Sequence, residues 1–122
     1  MSFLSHLEAA VKQVDGAVAC SIMGYDGISV ETHTVGSAME DLDLNVAWIE
    51  FANLLNQLKG AVELLKTGGM TEVSINTEKV LTLVRMVTPE YFLVMALKPE
   101  GNYGKARYVL RLTVPKVKAE LL

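Results

Sequence analysis

Apolar and polar residues change period several times along this 122-residue chain, and each change marks an element. Over residues 2–14, Phe3, Leu4, Leu7, Ala10, Val11 and Val14 recur at helical spacing with Glu8, Lys12 and Gln13 between them. This predicts an amphipathic helix, stopped by Asp15-Gly16 where glycine permits a left-handed exit. Residues 17–23 form an apolar run of strand length, Gly24-Tyr-Asp-Gly27 has turn chemistry, and Ile28 to His33 alternates. The pair predicts a hairpin with one wet face. Ser37-Ala-Met-Glu40 matches a capping box that would open a helix running to about Lys66, ahead of Gly68-Gly69. Three strands follow, at Thr71–Asn76, Val80–Val87 and Tyr91–Leu97. Their short connectors predict successive antiparallel pairing, and the last two are apolar at nearly every position, so both of their faces need cover. A final helix after Asn102 carries Tyr108, Val109, Leu112, Val117 and Leu121 as expected inward residues, with a kink or restart at Thr113 to Pro115.

The middle helix has more apolar residues than one core-facing stripe requires. At about 100° per residue, one broad arc gathers Leu44, Ala47, Trp48, Phe51, Leu54, Leu55, Leu58, Ala61, Val62 and Leu65, and is expected to face the sheet. The opposite arc gathers Leu42, Val46, Ile49, Asn53, Gly60 and Leu64, bordered by Asn45, Glu50, Asn56, Gln57 and Glu63. It is neither charged like a solvated face nor apolar like a core. Small residues and uncharged amides among a few branched side chains suit close approach by a second helix. Leu42, Asn45, Val46, Ile49, Glu50, Asn53, Asn56, Gln57, Gly60 and Leu64 are therefore the expected dimer and partner surface, weighed against scattered surface hydrophobes, which are common.

Composition narrows the function classes. The length fits one domain over 1–122, and a 51% apolar, 20% charged chain is globular. A net charge of −3 argues against a nucleic-acid partner, because phosphate binding needs a concentrated basic surface. Lys105, Arg107, Arg111, Lys116 and Lys118 do cluster, but on a last helix they read first as a solvated face that also suits the helix dipole. Cys20 is the only cysteine, so no internal disulfide forms, and its apolar strand would raise the thiol pKa and leave it inert. With no signal-peptide pattern and no membrane-length apolar run, the expected location is cytoplasmic.

Candidate chemistry is sparse. His6 and His33 stand on different elements without zinc spacing and are expected at exposed or interfacial positions. Asp41 and Asp43 lack the rest of a calcium loop and suit a helix start. There is no phosphate-cradling loop, since Gly101-Asn-Tyr-Gly104 is too short and has no lysine. No catalytic residue, metal or cofactor is expected. A polar pocket for an enzyme or small-molecule sensor would have only Glu31, His33 and Arg85 to draw on.

The α-β-β-α-β-β-β-α order, the Gly24-Tyr-Asp-Gly27 turn and the long helix between the second and third strands together resemble the roadblock/dynein light chain family. The resemblance covers essentially the whole chain. It implies an α+β fold, related to profilin and longin, with a five-stranded antiparallel sheet in order 2-1-5-4-3, the long helix on one face and the terminal helices on the other. It also implies a dimer in which the long helices pack together and two sheets can join at their third strands. Small bacterial and archaeal members, the MglB-like proteins among them, are partners of Ras-like GTPases and accelerate hydrolysis by repositioning the GTPase's own residues. The expected function is thus a homodimeric, non-enzymatic regulator of a small Ras-like GTPase. The alternative is a structural adaptor that scaffolds a larger complex and leaves turnover unchanged.

Overall fold

The computed structural model describes residues 2–36 and 43–121. The elements are α1 (Phe3–Lys12), β1 (Ala17–Gly24), β2 (Ser29–Thr34), α2 (Leu44–Leu65), β3 (Glu72–Asn76), β4 (Leu81–Met86), β5 (Tyr91–Leu97) and α3 (Tyr103–Leu121). The strands form one sheet in the order β2-β1-β5-β4-β3, and every neighbouring pair is antiparallel. Fold class, element order and strand order are those expected.

Side chains alternate across a strand, so β5 divides its apolar residues between two layers. Phe92, Val94 and Ala96 meet Trp48, Ala52 and Leu55 of α2, while Leu93, Met95 and Leu97 meet Leu7, Ala10 and Val11 of α1 and Ala106, Val109, Leu110 and Val117 of α3. This is why β5 has no polar face to alternate with. The hairpin departs from the expected pattern: β1 is buried along almost its whole length, and solvent is met mainly on β2. The cause is position, because β1 lies between β2 and β5 whereas β2 is an edge.

Two loops seal one end of the helical layer. Gly16 has φ +86°, and a Cβ there would collide with the Cα of Gly101. Beside this contact the Lys98 and Asn102 amides donate to the Gly16 and Asp15 carbonyls, each at 2.8 Å. The turn at the other end of β1 is an Asx turn: the Asp26 carboxylate accepts from the Ile28 amide at 3.0 Å, and Gly27 supplies the positive φ of +87°.

The long helix starts later than its sequence suggests. Asp43 is extended, with φ −87° and ψ 90°, and its carboxylate accepts from the Val46 amide at 3.1 Å as the N-cap of α2. The capping box at Ser37 to Glu40, with Asp41, lies outside the described residues. At the other end Lys66 takes the left-handed conformation, two residues before the glycines expected to stop the helix. Pro115 does not restart α3, which continues as one helix to Leu121. The missing amide leaves the Arg111 carbonyl without its helical donor, but both residues are exposed, so water can replace the bond. The inward face of α3 also differs: Val109 and Val117 are buried, and Leu121 packs against the core as expected, whereas Tyr108 and Leu112 point outward and Ala106, Leu110 and Thr113 take the inner positions.

Candidate interaction surface

On α2 the buried residues are Trp48, Ala52 and Leu55, with Leu44 and Phe51 packed partly against them. The core stripe is narrower than the arc read from the sequence. Leu54, Leu58, Ala61 and Leu65 were expected against the sheet but are exposed in the single chain, Leu65 to 69%. A helix lying on a sheet presents one stripe to it, and residues on the flank lose contact as the helix surface curves away. Ala52, outside the arc expected to face the sheet, is fully buried four residues after Trp48.

The outward side of α2 carries Asn45, Val46, Glu50, Asn53, Gln57, Gly60 and Leu64, all exposed, Leu64 to 85%. A Cβ at Gly60 would meet nothing within 4 Å, so this position leaves room beside the helix backbone. Leu54, Leu58 and Leu65 extend the same surface along one flank. Leu42 lies outside the described residues. On the other flank, two members of the expected surface also make contacts within the chain. Asn56 Nδ2 donates to the Tyr25 carbonyl at 2.8 Å, and Ile49 lies beside the Gly27 turn, 3.5 Å from where a Cβ of that glycine would sit. Lys59 Nζ donates to the Pro89 carbonyl at 2.8 Å and stands 3.9 Å from the centre of the Tyr25 ring. These contacts fasten α2 over the turns at one end of the sheet and so orient its outer face.

A second polar constellation lies across β3, β4 and α3. Glu72 and Arg85 face each other in the strand register, with Arg85 Nη1 3.5 Å from Glu72 Oε1. Arg107 of α3 adds Nε at 3.0 Å and Nη2 at 2.8 Å from Glu72 Oε2. The Arg107 hydrogen bond is the main cause holding the Glu72 carboxyl below the usual carboxylate range; burial opposes it, and the charges of Arg107 and Arg85 reinforce it. Next to them is a cleft of about 220 Å³ lined also by Gly104, Tyr108 and Arg111. Glu72 carries no chemical motif of its own, and the signal that could find it is antiparallel pairing across the short β3–β4 connector, which sets it opposite Arg85.

The remaining chemical candidates stay apart. Cys20 is fully buried, and burial pushes its thiol up to about 12. His6 is buried rather than exposed, between α1 and α3, with Nε2 3.6 Å from Glu120. His33 lies 3.9 Å from Glu8 on the β2 side of the sheet, away from Arg85, so Glu31, His33 and Arg85 do not form a shared pocket. Among the described residues no helix is long and apolar enough to cross a membrane.

A three-layer α+β domain with this strand order and a long helix alone on one face has the architecture of a roadblock domain. The crystal structure of MglC from Myxococcus xanthus is 62% identical to this chain, covering 98% of it and 99% of the other, with a TM-score of 0.71. The chain belongs to the roadblock/dynein light chain family, among its MglB-like members. A roadblock/LC7 domain from Streptomyces avermitilis, 14% identical, covers 99% of this chain and 98% of its own with a TM-score of 0.83. The gliding protein MglB from Thermus thermophilus, 15% identical, covers 95% and 85% with a TM-score of 0.84. At those identities the likeness concerns the fold. No family model and no curated protein matches the chain.

Proposed function

We propose that this protein is a homodimeric regulatory partner of a small Ras-like GTPase, acting on its hydrolysis or nucleotide state without supplying a catalytic side chain. The carrying observation is the full-length, 62% identity to MglC on a fold shared with the gliding protein MglB. The exposed apolar and small residues of α2 support a dimer seam. Val46, Asn53, Gln57, Gly60 and Leu64 form its centre, opposite the buried Trp48, Ala52 and Leu55. Glu50, Leu54 and Leu58 extend it on one side, and Ile49, Asn56 and Asn45 border it on the other. Burying such a strip against its own copy across a two-fold axis removes from water a surface that a monomer would leave wet.

GTP turnover by the cognate Ras-like GTPase, measured with and without this protein, tests the regulatory reading. A changed rate together with saturable binding supports it. Binding without a rate change supports the adaptor instead, and absence of binding refutes both. The seam is tested separately by light scattering on Gly60→Arg and Leu64→Glu. Both positions are exposed and the space beside Gly60 is open, so both variants are expected to fold and to run as monomers. A dimer mass in both would remove α2 from the interface.

A further inference from the structure

The outer face of α3 has a composition unlike the rest of the chain. Five of the eleven basic residues lie between Lys105 and Lys118, in a protein whose net charge is −3. The helix has one acidic residue of its own, Glu120, which is engaged by the buried His6 on the inner side. Arg107 is committed to Glu72. Lys105 and Arg111 instead flank the exposed Tyr108, with Lys105 Nζ and Arg111 Cζ each 5.8 Å from its ring centre. Tyr108 and Leu112 are adjacent on one helical stripe and remain 49% and 47% exposed. Two half-exposed apolar side chains between two cations make a surface that water solvates poorly at its centre and that favours anions at its rim.

We propose that this face docks an acidic, amphipathic segment of a partner protein, with Tyr108 and Leu112 receiving its apolar side chains and Lys105 and Arg111 its carboxylates. Charge complementarity selects the occupant. Arg111 offers a guanidinium fork suited to a carboxylate, and its neighbour Arg107 is already held in a carboxylate pair, which shows the geometry this face accepts. An anionic membrane is disfavoured for two reasons: Glu72 opens into the adjoining cleft, and the exposed apolar area is too small to insert once the main apolar side of α3 is spent on the sheet. The site lies on the sheet face opposite α2, so it is independent of the dimer seam and of any GTPase contact made there.

The test uses a fluorescein-labelled peptide with Leu at helical spacing and Glu between, titrated with the full chain by fluorescence anisotropy. Saturable binding that weakens with salt is expected. Arg111→Glu and Tyr108→Ala should each lower the affinity about tenfold or more, as expected for anchors at the centre of a small interface. Lys79→Glu, at the far end of the β3–β4 hairpin from Glu72, should leave it unchanged. Thermal melts of the exposed-site variants should match the parent and so separate docking from folding. Several results would overturn the proposal: no saturable binding, unchanged affinity in both α3 variants, equal weakening by Lys79→Glu, or equal binding of a peptide with Gln for every Glu. Capture by phosphatidylserine vesicles without capture of the acidic peptide would replace it with a membrane contact.

Discussion

Gly16 shows how much a single backbone atom can decide. Its positive φ and its contact with Gly101 leave no place for a Cβ, and the neighbouring carbonyls hold the start of the β5–α3 connection. Gly16→Ala is therefore expected to cost on the order of 2 kcal/mol, read from urea unfolding, because it combines left-handed strain with a backbone collision. The positive φ could be expected from the helix-stopping Asp-Gly pair, but its Gly101 partner, 85 positions along the chain by the numbering, could not. Cys20 was legible in full, since an apolar strand around a lone thiol already implies burial. Ellman's reagent should modify it at least about a thousandfold more slowly in the folded than in the urea-unfolded chain, the ratio set by global opening. At Glu72 the folded pKa lies below the unfolded value, so the Arg107 and Arg85 contacts stabilise the fold above the ordinary carboxylate range and lose that effect as pH falls through the folded value. Glu72→Gln should lower Tm at neutral pH, and the gap to the parent should close as pH drops below about 4.

At the scale of elements, α3 makes the phase of a helix measurable. Leu110 is fully buried and Leu112 is about half exposed, although both are leucines on one helix. Leu110→Ala should cost about 2–5 kcal/mol and Leu112→Ala less than about 1, by denaturant melts. Equal costs would contradict the orientation of the helix. Pro115 is exposed in an uninterrupted helix, so Pro115→Ala should restore a backbone bond and raise stability by on the order of 1 kcal/mol, part of the helical gain being offset by a more flexible unfolded chain. Helical periodicity located these segments well but not their phase. The row of Leu54, Leu58 and Leu65 on α2 has the spacing of a core face, and hydrophobicity alone does not distinguish burial inside one chain from burial against another.

The whole molecule is two apolar layers that share one sheet, and β5 belongs to both. Losing either layer would bare one face of strands that the other layer also packs on, so unfolding should be cooperative. Trp48, the only tryptophan, reports on the α2 layer, while far-UV circular dichroism averages over all helices and strands. Their urea transitions should coincide, and for the proposed dimer their common midpoint should rise with protein concentration. What the sequence determined by itself was the order of elements, the two-sided burial of the last strands, the inert thiol and an excess of apolar residues on the long helix. All follow from local periodicity, turn chemistry and composition, which act over a few residues. The tertiary structure decided which helical stripes face the sheet, which strand becomes the wet edge, how Gly16 meets Gly101, and that Arg107 completes the carboxylate pair begun in the β3–β4 register. Those outcomes depend on where distant segments come to rest against one another, and no local pattern encodes that distance.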